Sequence, residues 1–217
     1  MPIFSLNEVR TEQVKNIAND NFESWPESAT YGYFGGGNAP GNASTIDRID
    51  FSNETTSAPG NNLPEARNGL AAVSSSSYGY FGGGEDAPPN VSTIERLDFS
   101  NETLSLPGNN LPQTRDDLTA VSSSSYGYFG GGDTPSIVST IDRIDFSNET
   151  TSAPGNNLSQ ARGLLAAVSN NSYGYFGGGN APPFVCTIDR LDFSNETTSV
   201  PGNGLPEAKQ QLAAVSN

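Results

Sequence analysis

Four times the sequence brackets an arginine with carboxylates: Asp47-Arg48-Ile49-Asp50, Glu95-Arg96-Leu97-Asp98, Asp142-Arg143-Ile144-Asp145 and Asp189-Arg190-Leu191-Asp192. Acidic pairs are what glycoside hydrolysis uses, one group as acid and the other as base or nucleophile. Carboxylate oxygens also hold hard cations. A catalytic pair, however, is made once, by breaking symmetry. A pair that returns in every copy is more simply a ladder of arginine–carboxylate contacts between adjacent repeats, built on Arg48, Arg96, Arg143 and Arg190. Glu54 and Arg67 recur on the same schedule, with Lys209 in the last arginine position. The tyrosines Tyr31 and Tyr33 and their counterparts could stack on sugars, but their identical pattern in each copy points to core and inter-sheet packing. Asn53, Asn101, Asn148 and Asn195 sit in Asn-x-Thr strings that serve turn formation first.

The elements that must position these groups are set by one string, Tyr-Gly-Tyr-Phe-Gly-Gly-Gly, opening at Tyr31, Tyr78, Tyr126 and Tyr173. The copies are 47 or 48 residues apart, a period that means a repeat architecture. Aromatic residues suit a pleated, packed strand. The glycines Gly35-Gly36, Gly82-Gly83, Gly130-Gly131 and Gly177-Gly178 are structural, ending that strand in a turn. They form no phosphate loop, since no Lys-Ser/Thr and no helix follows. A variable, proline-bearing loop comes next, then a second strand (44–51 in the first copy). A Ser-Asn-Glu-Thr turn, a short third strand and Leu-Pro-x-x-Arg follow. Each unit closes on a small-residue strand such as Leu70 to Ser75. Four short strands in this period predict propeller blades.

Composition narrows the function classes. The 217 residues carry a formal net charge of −14 and no histidine. Nucleic-acid binding through a basic surface is disfavoured, as is docking on an anionic membrane. Histidine catalysis and imidazole zinc sites are excluded. Neither a cofactor nor a metal is expected. The single cysteine, Cys186, takes the place of Ser44, Ser92 and Ser139 and reads as a small strand residue. No run is long and apolar enough to span a bilayer as a helix, and no secretion-signal pattern is visible.

Residues 1–30 do not match the repeat. Ser5 with Glu8 forms a capping box, and Phe4 with Val9 a hydrophobic staple. Leu6, Val9, Val14 and Ile17 give a helical stripe. Phe22 to Pro26 follows as an extended stretch containing Trp25. This arm either covers an edge of its own repeats or docks to a partner through Phe4, Val9, Val14 and Trp25.

At Arg67, Leu70 to Ser75, Tyr78 to Phe81, Gly82-Gly83 and Ile94 to Phe99 the chain resembles the kelch repeat, over residues 31–217. It departs from that pattern in having Ile-Asp-Phe or Leu-Asp-Phe where the family has Tyr-Asp-Pro, and in lacking the tryptophan after the turn. The string also looks like that of repeat proteins of marine cyanophages, among virion or tail-associated products. Strand counting gives three, four, four, four and one. The expected fold is therefore an all-β, kelch-like propeller with a short N-terminal helical arm. Its four blades of four strands (repeats 31–77, 78–125, 126–172 and 173–217) would be closed by Leu212 to Asn217 inserting beside Tyr31 to Phe34. A longer array, or subunits pairing to complete a larger ring, is the alternative.

These features imply a non-enzymatic structural and interaction protein of a phage particle or tail, with a cytoplasmic location as the alternative. Its partners would be other virion proteins through the arm, in a chain that could oligomerise. Its variable loops would meet a partner through Asn38, Glu85, Asp86, Asp133 and Asn180, since recognition lives in loops on a rigid scaffold. The alternative is a lectin-like propeller binding host-surface glycan, with one site per blade.

Overall fold

The computed structural model describes residues 30–86 and 89–216. The helical arm and its anchors Phe4, Val9, Val14 and Trp25 lie outside them. Two compact units are distinguished: Ile49–Thr55 with the segment up to Gly32, and Tyr33–Arg48 with Thr56–Asn217. Every element is a strand or a turn; no helix occurs among the described residues.

Strands β1 (Tyr31–Gly35), β2 (Ile46–Asp50) and β3 (Thr55–Ser57) form the first sheet, in that order. The second holds β4 (Ala71–Ser74), β5 (Tyr78–Gly82), β6 (Ile94–Asp98) and β7 (Leu104–Ser105). In the third are β8 (Thr119–Ser122) and β9 (Tyr126–Gly130), then a small separate hairpin of β10 (Asp133–Thr134) and β11 (Ser136–Ile137), then β12 (Ile141–Asp145) and β13 (Thr151–Ser152). The fourth is β14 (Ala166–Ser169), β15 (Tyr173–Gly177), β16 (Ile188–Asp192) and β17 (Thr198–Ser199). The second, third and fourth sheets are antiparallel meanders of four strands, each opening on the small-residue strand.

Local chemistry explains each step. A Ser or Asn side chain closes the tight turn into the aromatic strand: the Tyr78 N–H donates to Ser75 Oγ at 3.0 Å and the Tyr173 N–H to Asn170 Oδ1 at 2.8 Å. The register then sets Val73 opposite Tyr80 and Tyr80 opposite Arg96, and the pattern repeats in the next two sheets. Small residues are required on the first strand because β4 packs against β8, and β8 against β14. Alternation puts Ala71 and Val73 inside and their neighbours outside.

Three apolar clusters weld neighbouring repeats. Ile46 and Leu63 meet Phe81 and Leu97; Tyr80 and Ile94 meet Phe129 and Ile144; Tyr128 and Ile141 meet Phe176 and Leu191. The first glycine of each triplet stays within its strand, where its value is a missing side chain. A Cβ on Gly82 would fall 2.9 Å from the Phe129 ring, and one on Gly130 only 2.6 Å from the Phe176 ring. The turn itself comes at the second glycine, where Gly83 holds φ +71° and faces the carbonyl of Arg115.

One expectation is corrected. Residues 212–216 form no strand, and the first sheet has three strands among the described residues, none of them supplied by 212–216. Val215 is 92 % exposed, whereas Val73 and Val121 at the matching positions are each 5 % exposed. The other small-residue strands enter their sheets through a short turn to the next aromatic strand. Pairing of 212–216 with the distant β1 is instead a long-range closure, which costs more chain entropy.

Candidate interaction surface

The turn after the second strand in the second, third and fourth repeats builds the contact to the repeat before it. Asp98 Oδ1 accepts from the Ser100 N–H and hydroxyl, and Asn101 Oδ1 from the Thr103 N–H and hydroxyl. These Ser hydrogen bonds hold the Asp98 carboxyl below the usual carboxylate range. Between them the chain is forced into the left-handed region, and the residue placed there is Glu: φ is 57° at Glu102, 58° at Glu149 and 57° at Glu196. Sequence reasoning placed the asparagines in this turn without saying which residue would carry the left-handed backbone. The asparagine ties the turn with its side chain, as expected, and Glu carries the left-handed backbone.

That strain aims the glutamate backward. Glu102 Oε1 accepts from Arg48 Nη1 at 2.6 Å and from the Tyr33 hydroxyl at 3.0 Å. Glu149 does the same with Arg96 (2.7 Å) and Tyr80 (3.1 Å), and Glu196 with Arg143 (2.7 Å) and Tyr128 (3.0 Å). Burial is the main reason the Tyr80 and Tyr128 hydroxyls are pushed well above the usual phenol range, with the adjacent glutamates second. The expected ladder therefore exists between repeats, but its acid is the turn glutamate rather than the strand aspartates. Arg190, last of the four predicted arginines, lies over the Tyr173 ring at 4.8 Å and makes no ion pair among the described residues.

A second set of arginines does the buried work. Arg67, Arg115 and Arg162 are each 0 % exposed and pair with Glu95, Asp142 and Asp189. Arg115 also donates to the backbone carbonyls of Phe129, Gly131 and Thr140. Arg162 Nη2 donates to Asp189 Oδ2 at 2.6 Å. Burial lowers the Arg67 guanidinium to about 10, against the opposing pull of Glu65 and Asp86. The first carboxylate of each strand pair is thus a core ion-pair partner in three repeats.

The tyrosines are equally committed. Tyr33, Tyr80 and Tyr128 stack on Phe99, Phe146 and Phe193 with ring centroids 5.4 Å apart. Arg96, Arg143 and Arg190 cover the faces of Tyr78, Tyr126 and Tyr173. These faces are filled by protein.

Of the loop residues expected to meet a partner, Asn38 is exposed, while Glu85, Asp86, Asp133 and Asn180 are half-buried. The backbones of Glu85, Asp133 and Asn180 are clipped to Asn68, Asp116 and Gly163 by paired hydrogen bonds. They form the base of the loop, not its tip. Phe184, 48 % exposed, stands beside that base in the fourth repeat, bridged to Asn180. Sequence reasoning missed Phe184 and the exposed Leu106 and Val200, which stand just before the Pro-Gly turns. Variation between repeats at these positions was the available signal.

The loop bases gather charge in one place. Asp116, Asp117, Asp133 and Glu85 interact, and Asp117 is pushed up to about 6, first by burial and then by Asp116, Asp133 and Glu85. Asp117 also sits at φ 52°, where Gly69 stands in the preceding repeat with φ 63°. Among the described residues no group of three or more His, Cys, Asp or Glu side chains is arranged to hold a metal ion. Comparison with protein-family models and with curated proteins finds no match for this chain.

Proposed function

We propose that this is a non-enzymatic structural and interaction protein, in which kelch-like, blade-like repeats form a stiff body that offers variable loops to a protein partner in a phage particle or tail. The observation that carries this reading is the division of labour within each repeat. The residues able to do chemistry are spent on holding repeats together: carboxylates in ion pairs, tyrosines under arginine or phenylalanine. The loops at 38–43, 85–91, 133–138 and 180–185 differ from copy to copy above a common base. Such a body suits presentation, not turnover.

The test is to raise antibody to the purified chain and to look for it in density-purified particles by mass spectrometry and labelled electron microscopy. Recovery at fixed stoichiometry supports the virion assignment. A chain found only free and monomeric in the lysate refutes it.

A carbohydrate-binding reading has one observation of its own. Polar hollows lie between the third and fourth sheets, the larger about 470 Å³ and lined by Ser122 to Ser124, Ser169 to Ser172 and Tyr173. A glycan array with the intact chain separates the two. Avid sugar binding would favour this second reading.

A further inference from the structure

The second and third repeats each receive the next repeat on the same face. Tyr80 stands opposite Arg96 across two strands, and Tyr128 opposite Arg143. Onto each pair the following repeat lays a ring, Phe146 or Phe193, and a turn glutamate, Glu149 or Glu196. The glycine ending the aromatic strand takes a second ring from the next repeat, Phe129 at Gly82 and Phe176 at Gly130. The fourth repeat builds this face again, with Tyr175 opposite Arg190 and Gly177 opposite Ile188. Among the described residues no phenylalanine stacks on Tyr175 and no glutamate pairs with Arg190. A Cβ on Gly177 would meet only Ile188 of its own sheet among those residues. Tyr175 and Ile188 are half-buried, whereas Tyr80, Tyr128, Ile94 and Ile141 are 0 % exposed.

The groups that fill such a face stand unused in the first repeat. Both Phe51 and Glu54 lie in the turn that follows β2. Glu54 holds φ 58°, as the turn glutamates Glu102, Glu149 and Glu196 hold 57–58°. Its N–H donates to the Asp50 carbonyl at 2.8 Å, as the Glu102 N–H does to Asp98. The backbone is thus already shaped to aim a carboxylate. Glu54 is nevertheless exposed and makes no ion pair among the described residues, whereas the other three are half-buried and paired. Phe51 is 53 % exposed, whereas Phe99, Phe146 and Phe193 are half-buried against tyrosine rings. A left-handed backbone at a non-glycine residue is uncommon, and elsewhere in this chain it serves a contact between repeats. One molecule therefore carries both halves of the junction that joins its own repeats: an unfilled Tyr–Arg face and an unspent Phe–Glu turn of opposite charge.

We propose that the turn after β2 in a second copy of this chain docks on the fourth repeat, continuing between chains the junction that joins repeats within one. Phe51 of the incoming copy stacks on Tyr175. Its Glu54 accepts hydrogen bonds from Arg190 and from the Tyr175 hydroxyl, as Glu196 accepts from Arg143 and Tyr128. The occupant is chosen by continuity with the three internal junctions and by charge, since a guanidinium beside a phenol selects a carboxylate. The contact joins two different surfaces, so repetition makes a closed ring of chains or an open filament. It stands whatever the variable loops bind.

The test is light scattering of full-length chains over a range of concentrations, with reductant present because Cys186 is an exposed thiol. The unmodified chain should at least double its mass as concentration rises. Glu54→Arg alone and Arg190→Glu alone should each stay monomeric, because the junction then sets like charges together. Mixed in equal amounts, the two should associate again. So should the double variant, in which the charges are exchanged. Phe51→Ala, which alters no charge, should weaken association about tenfold. In dilute solution, where the chain is single, neither charge variant should gain melting temperature when the other substitution is added. A chain that stays monomeric at every concentration overturns the proposal, and so does association that survives Arg190→Glu undiminished. If the dilute single variants lose melting temperature and the double variant regains it, the two groups meet within one molecule, and the proposal is equally overturned.

Discussion

Replacing Glu149 with alanine and, separately, with glycine tests whether the turn glutamate is held in an unfavourable backbone for the sake of its side chain. Glu149 sits at φ 58°. Its Oε1 takes a charge-assisted hydrogen bond from Arg96, and both side chains are mostly covered, at 19 % and 28 % exposure. A bond of that kind is worth about 1–2 kcal/mol after solvent screening. The same oxygen accepts from Tyr80, a residue with 0 % exposure. A hydroxyl left there without an acceptor costs roughly another 1–3 kcal/mol. Glu149→Ala should therefore lose about 2–4 kcal/mol. Glycine loses the same contacts but removes the left-handed penalty of about 1–2 kcal/mol. Glu149→Gly should be the more stable of the two by about 1 kcal/mol, the reverse of the usual order in regular structure. Urea unfolding followed by tyrosine and tryptophan fluorescence gives both numbers. In a chain of this size each kcal/mol should move the melting temperature by about 2–4 °C. An alanine variant within about 0.5 kcal/mol of the parent would refute the latch, and one more stable than the glycine variant would refute the strain.

Arg115→Met should cost about 3–5 kcal/mol, because Asp142 is left buried without its partner. Arg115→Met with Asp142→Leu should recover most of that loss by thermal melt. Arg96→Ala should cost less than Arg115→Met, since its guanidinium is partly solvated. Gly130→Ala should lose about 1–3 kcal/mol by driving a methyl group into the Phe176 ring. Gly177→Ala, which among the described residues meets only Ile188 at 3.7 Å, should leave the melting temperature unchanged. Asp117 provides the pH test. Its folded proton affinity is raised by burial, so the folded state disfavours the charged form and stability falls as pH rises from about 4 to about 6. Asp117→Asn should thus stabilise by about 1–2 kcal/mol at pH 7, after allowing for its half exposure. The gain should vanish below about pH 4 in urea melts at several pH values, and a gain that persists there would show that charge is not its source.

Much of this arrangement is written in the order of residues. The period, the strand count per repeat and the need for contacts between repeats all follow from Tyr-Gly-Tyr-Phe-Gly-Gly-Gly and the recurring Asp-Arg-x-Asp, because local alternation and turn chemistry act over a few residues. Partner choice was not legible in the same way. Arg48 has Asp47 and Asp50 beside it in sequence, yet bonds Glu102, more than fifty residues away. In an extended strand Asp47 points to the opposite face, and Asp50, on the same face, spends its Oδ1 on the Ser52 N–H and hydroxyl. Arg67, by contrast, looks like a surface residue in a Leu-Pro-x-x-Arg linker, but packing of successive sheets buries it completely.

The role of the loop residues shows the same limit. Their variability was visible, but not that Glu85, Asp133 and Asn180 would give their backbones to the neighbouring repeat, nor that Phe184, across from Asn180, would stay exposed. The repeating residues by themselves determined what each sheet is made of. Only the tertiary structure decided how the sheets are joined, and whether the last small-residue segment pairs at all. A hairpin is specified by residues a few positions apart. A junction between distant strands depends on backbone geometry, burial and chain entropy acting across the whole molecule.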